Sequence, residues 1–112
     1  MVTHDGSKIP KFSDVWDPDN VEWVTIVWDE DVACHGDIAN ASSTWILPDN
    51  WTSSDADEDV PVTDCDGTTY NHANRNFLST TETTGTFIIT NRVTFQDLTQ
   101  LDRSVKIKVQ AT

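Results

Sequence analysis

From Arg103 to Gln110 apolar and polar side chains alternate without a break. Val105, Ile107 and Val109 fall on one face, and Ser104, Lys106, Lys108 and Gln110 on the other. Successive side chains of a strand point to opposite faces, so this pattern describes a strand with one side buried and one in water. Such a strand needs a second layer to cover its apolar face. Thr86 to Phe95 repeats the pattern: Phe87, Ile89, Val93 and Phe95 share a face with Asn91, and Thr86, Thr90, Arg92 and Thr94 occupy the other. In Val21 to Trp28, Val24, Ile26 and Trp28 share one face, with Trp23 and Val27 behind them, so this strand is expected to be covered on both sides. Shorter strands are predicted around Ile38, at Ser42–Leu47 ahead of Pro48, at Trp51–Ser53, at Val60–Thr63 and at Phe77–Thr80, with turns at Asp64-Cys65-Asp66-Gly67 and Gly85. Asp29-Glu30-Asp31 reads as a charged stop, and Asp55 to Asp59 as an acidic loop. No helical period is sustained.

The chain has 112 residues, enough for one two-layer domain. About seven short strands separated by turn signals predict an all-β fold, an immunoglobulin-like antiparallel β-sandwich over residues 21–112. Residues 1–20 read as an extended N-terminal arm, polar to Pro10 and carrying Phe12 and Trp16 among turn formers. Two placements suit such an arm: docking on a neighbouring protein, or folding back on its own domain.

Nineteen Asp and Glu against seven Lys and Arg leave a formal charge of -12. No Lys or Arg occurs between Lys11 and Arg75. A field of that sign repels a phosphate backbone, so no nucleic acid is expected as partner. No stretch approaches membrane-spanning length, so no membrane partner is expected. The absence of an apolar run near Met1 predicts synthesis without a leader, in a cytoplasm.

The chemical constellations are sparse. Cys34 and Cys65 leave both a disulfide and two free thiols open. Asp55, Asp57, Asp59 and Asp66 have some of the spacing of a calcium loop, but Val60 and Pro61 stand where its glycine belongs. A looser oxygen-ligand site stays open. Cys34, His35, Cys65 and His72 lack the paired close spacings of a zinc site. No nucleophile elbow or comparable catalytic framework is present, and a chain this short must also build any substrate cleft. No enzyme activity, cofactor or metal is therefore expected. Trp28 and Trp45 lie within apolar strands and are expected in the core, whereas Trp16 and Trp51, beside turn formers, are expected to anchor an interface. Tryptophans exposed on a sandwich also stack on sugars, which makes a carbohydrate-binding module the alternative from another class.

Several stretches, taken in order, resemble a family of small tailed-bacteriophage virion proteins, the fibre–tail adaptors. They are Phe12 to Trp28 with Asp17-Pro18-Asp19, Ile38 followed by Ser42-Ser43-Thr44-Trp45 and Leu47-Pro48, Thr90-Asn91-Arg92-Val93-Thr94, and Asp102-Arg103-Ser104 with the alternating strand after it. The likeness spans roughly residues 12–110 and rests on joint order, each motif being short. The chain departs from the family in its glycine-free Phe95–Leu101 connection and its acidic Asp55–Asp66 segment. The resemblance implies an immunoglobulin-like structural protein of the virion tail or neck, assembled in the host cytoplasm. It would be present in multiple copies arranged by virion symmetry, linking tail or neck to tail fibres through other virion proteins. A capsid decoration protein is the alternative within the virion. The interface residues expected on this reading are Phe12, Trp16, Trp51, Arg92 and Arg103, the arginines pairing with carboxylates inside the domain or across a contact.

Overall fold

The structure, a computed structural model, describes the backbone of residues 2–4, 11–12 and 15–111 and the side chains of residues 15–111. In chain order the elements are β1 (Val2–His4), β2 (Lys11–Phe12), β3 (Glu22–Val27), α1 (Asp29–His35), β4 (Thr44–Ile46), β5 (Trp51–Thr63), β6 (Thr69–Thr80), β7 (Thr84–Thr94) and β8 (Gln100–Gln110). They form two four-stranded sheets, ordered β1-β3-β6-β5 and β2-β8-β7-β4. This is the constant-type immunoglobulin strand order, with the opening strand divided between the sheets. The four pairings among β3 to β8 are antiparallel, while β1 joins β3 and β2 joins β8 in parallel.

Alternation determines what each sheet buries. Val24, Ile26 and Leu78 of the first sheet meet Ile89, Val93, Val105, Ile107 and Val109 of the second, all at most 2% exposed. Trp28 and Phe95 fill one end of this core, ring centres 5.8 Å apart and nearly edge-to-face. The outer side of β3 is covered as well, Thr25 and Val27 being buried.

Several elements differ from their sequence reading: β6 begins at Thr69, well before the predicted Phe77, and the strand predicted around Ile38 is only an isolated bridge to Phe95. The supposed charged stop is helix α1. Its first turn carries Asp29, Glu30 and Asp31, where carboxylates complement the exposed amides and dipole of a helix start. Gly36 ends it with φ +83°, a conformation that favours glycine. Asp29 also accepts backbone hydrogen bonds from Asn71 (2.9 Å) and His72 (2.7 Å) of β6. The supposed acidic loop is the middle of β5, a 13-residue strand paired to β6 throughout, with three register shifts between Ser53 and Val62. Those bulges let the strand absorb Asp59 at φ +51° without losing its partner. Gly85 lies inside β7 rather than ahead of it.

Candidate functional site

Two of the expected interface tryptophans are core residues. Trp16 is 1% exposed and extends the line of β2 along β8: its backbone N–H donates to Lys108 O (2.8 Å) and its carbonyl accepts from Gln110 N–H (3.0 Å). Trp51 is 7% exposed, and the two rings lie 5.3 Å apart at 62°. Neither ring is free to anchor a partner. A lone large aromatic between turn formers was buried here because the sandwich end offers it two covering strands and a second indole. The side chain of Phe12 lies outside the described residues.

The arginines pair inside the domain. Arg92 forks onto Asp102 across the β7–β8 ladder, with Nε at 2.8 Å and Nη2 at 3.0 Å from its two oxygens. This pairing raises the pKa of Arg92, first by hydrogen bonding and then by charge, and lowers that of Asp102. Arg103 points the other way. Its guanidinium donates to Asp31 of α1 at 2.9 Å, both side chains being about nine-tenths buried, and its carbon centre lies 5.3 Å from the Trp28 ring. Arg103 thus fastens the helix to the core instead of presenting a charge outward.

A polar network joins the sheets at their centre. Asn91 Oδ1 accepts from the Trp28 indole (2.9 Å) and from Asn74 Nδ2 (2.8 Å), while Asn91 Nδ2 donates to Ser43 Oγ (2.9 Å) and Thr44 O (3.2 Å). Asn74 Oδ1 accepts from the backbone of Asp59 at 2.7 Å. Alongside, the Thr90 and Ser104 hydroxyls share a hydrogen bond of 2.8 Å. The segments Trp28–Asp31, Ser42–Trp45, Thr90–Arg92 and Asp102–Ser104, scattered along the chain, therefore meet in space. One signal of this was present in the sequence: Asn91 interrupts an otherwise apolar face, and a buried amide must find partners.

The candidate interface lies on the side where β4 and β5 are the outer strands. Glu58 reaches from β5 to the loop before β4. Its two oxygens accept the backbone N–H groups of Ala41 (2.8 Å) and Ser43 (2.6 Å). Next to it, Asp57 accepts from Arg75 Nε at 2.7 Å, and that guanidinium lies 4.1 Å over the Trp23 ring. Between the edges opens a cleft of about 270 Å³, lined by Ala41, Ser43, Trp45, Ala56, Asp57 and Glu58. Trp45 is half-buried: it packs on the core and also lines this cleft. Nothing in the sequence pattern singles out Glu58, because its partners are backbone groups brought near by the fold.

Several other acidic groups have local partners. Asp59 meets His72 Nδ1 at 2.7 Å. In the β5–β6 turn the Asp66 carboxyl is held down at about 2, chiefly by a hydrogen bond with Asp64 and further by Thr68. Asp97 is lowered by the Thr99 amide and hydroxyl and by His35. Among the described residues no group of three or more His, Cys, Asp or Glu is placed to hold a metal ion. Cys34 and Cys65 are separate exposed thiols. No helix among the described residues is long and apolar enough to cross a membrane. Comparison with protein-family models, with characterised proteins and with solved structures finds no match to this chain.

Proposed function

We propose that this chain is a structural protein of a tailed-bacteriophage particle: an adaptor between tail or neck and fibres, acting through protein–protein contacts in several symmetry-related copies. The observation that carries the reading is the meeting of the resembling motifs along β7. The short motifs by which the sequence resembles the adaptor family become mutual neighbours: Ser43 and Thr44 on Asn91, Arg92 on Asp102, and Thr90 on Ser104. Motifs dispersed along the chain that become cross-strand and inter-sheet partners of one strand are the kind of pattern a shared fold imposes. Bonds of this type also stiffen a small domain that must transmit load between larger parts.

A sandwich sealed on one side by its own first residues, with two outer strands on the other, supports an adaptor role. It leaves one side for a neighbour without unfolding anything. Quantitative mass spectrometry of purified particles tests the reading. Tens of copies per particle or fewer are expected. Hundreds of copies would indicate capsid decoration instead, and absence from particles would overturn a virion role.

A further inference from the structure

We propose that the cleft between β4 and β5 receives a lysine or arginine side chain carried on an extended segment of a partner protein. The inference rests on reading the chain as a protein-binding module, and it holds wherever that module sits in a particle.

Size comes first. At about 270 Å³ the cleft has room for one long side chain. Its lining then selects the chemistry. Trp45 offers an aromatic wall, Ala41 and Ala56 keep the walls low, and Asp57 and Glu58 supply negative charge. A cation attached to an aliphatic stem satisfies all three, since the stem packs on apolar surface while the charge meets carboxylate and ring. A purely apolar group would strip water from the carboxylates without replacing it. An anion would face the Asp57 and Glu58 carboxylates.

The carboxylates are also held in place beforehand. The amides of Ala41 and Ser43 fix Glu58, and Arg75, itself seated over Trp23, fixes Asp57. An arriving cation then pays little to order them. Because Arg75 already neutralises Asp57, Glu58 is the ion-pair partner that remains for the newcomer.

The edge geometry explains why the segment is extended and why it is not a second copy of this chain. β5 is a long outer strand, and outer strands pair readily with added strands. Here the acids of β5, its three register shifts and Pro61 oppose pairing with another acidic β5. A basic strand meets the same bulges with attraction in place of repulsion. The net charge of -12 extends that attraction beyond the cleft and speeds encounter.

The test is a titration of the full chain, followed by residue-resolved NMR, with three peptides: Thr-Arg-Thr-Arg-Thr, its citrulline counterpart and its glutamate counterpart. Expected are shifts of the Trp45 indole N–H and of the amides of Ala41, Ser43 and Ala56 to Glu58 with the arginine peptide, weakening as salt is raised. Replacing a charged hydrogen-bond acceptor should lower affinity about tenfold, so Glu58→Gln is expected to do so and Asp49→Asn, an exposed acid elsewhere, to leave it unchanged. Because Glu58→Gln could loosen the 41–43 loop, Trp45→Leu serves as an independent variant, expected to weaken binding while Trp45→Phe retains it. Equal binding of the citrulline peptide, shifts spread over the acidic surface without focus on the cleft, or a Trp45 response to an oligosaccharide and not to the arginine peptide would each overturn the proposal. Peptide failure alongside abundant copies in particles would remove this docking chemistry and leave the virion reading standing.

Discussion

Along one side of the sandwich each sheet gains a parallel strand from the first twelve residues, and Trp16 continues that line along β8 with its ring in the core. Along the other side the sheets end at β4 and β5, and what joins them is the Glu58 carboxylate on two backbone amides. The first side is held by backbone pairing and the buried Trp16 ring, the second by hydrogen bonds at a wet rim. The difference teaches where the chain can meet a partner. Opening the first side exposes a fully buried indole, a cost on the scale of the domain's own stability, whereas the second can accept a neighbour with its core intact. The second side must then be guarded against indiscriminate pairing, and a three-residue β4, charged side chains and bulges on β5 provide that guard.

The largest expected effect breaks the closed side. Trp16→Ala removes a ring that is 1% exposed and should cost about 3–5 kcal/mol in urea unfolding, and removal of residues 1–20 should cost at least as much. A truncated chain of unchanged stability would mean that this segment is a free arm after all. Next comes the junction between the sheets. Asn91→Ala leaves the Trp28 indole and the Asn74 amide without their acceptor and should cost about 3 kcal/mol, since each orphaned buried group costs roughly 1–3. Pairing it with Asn74→Ala in a double-mutant cycle should show strong non-additivity.

How far the sequence could have foretold this contrast depends on which force shapes each part. β7 and β8 are legible because Ile89, Val93, Val105, Ile107 and Val109 bury one face and water takes the other, which writes period two directly into the chain. β6 is legible only at its end. Asn74 and Asn76 take inward positions that apolar residues would fill elsewhere, and they are satisfied by partners remote in sequence. The acidic middle of β5 is illegible for the same reason: its acids are stabilised by Arg75, His72 and the 41–43 amides, none of which is near in the chain. α1 carried a local signal in its acidic first turn, but seven residues are too few to show a period. Arg92 and Arg103 were recognisable as pairing residues. That both pairs close within the domain depends on register and on the helix, and the burial of Trp16 depends on a strand bridge to Val109.

Smaller effects sharpen the open side. Glu58→Gln should cost only about 1 kcal/mol globally, because its hydrogen bonds lie near solvent, yet it should speed hydrogen exchange at Ala41 and Ser43 markedly. The smallest effect is the response to acid. Asp66, Asp97 and Asp102 all have folded pKa values below the usual 3.8. Each therefore contributes stability that is fully present above pH 3.8 and is lost as pH falls through its lowered value, toward 2 for Asp66. The unfolding midpoint should decline over that window, and Asp102→Asn should make the decline shallower, by an amount kept small because the Arg92 pair is exposed.

Hydrogen exchange followed by mass spectrometry, comparing the free chain with the chain in purified particles, tests the contrast between the two sides most directly. Slower exchange in the particle is predicted for the 41–46 segment and β5, with little change along β8, where β2 and Trp16 already pair with it. Protection gained along β8 and the N-terminal segment, with none at β4 and β5, would contradict the account.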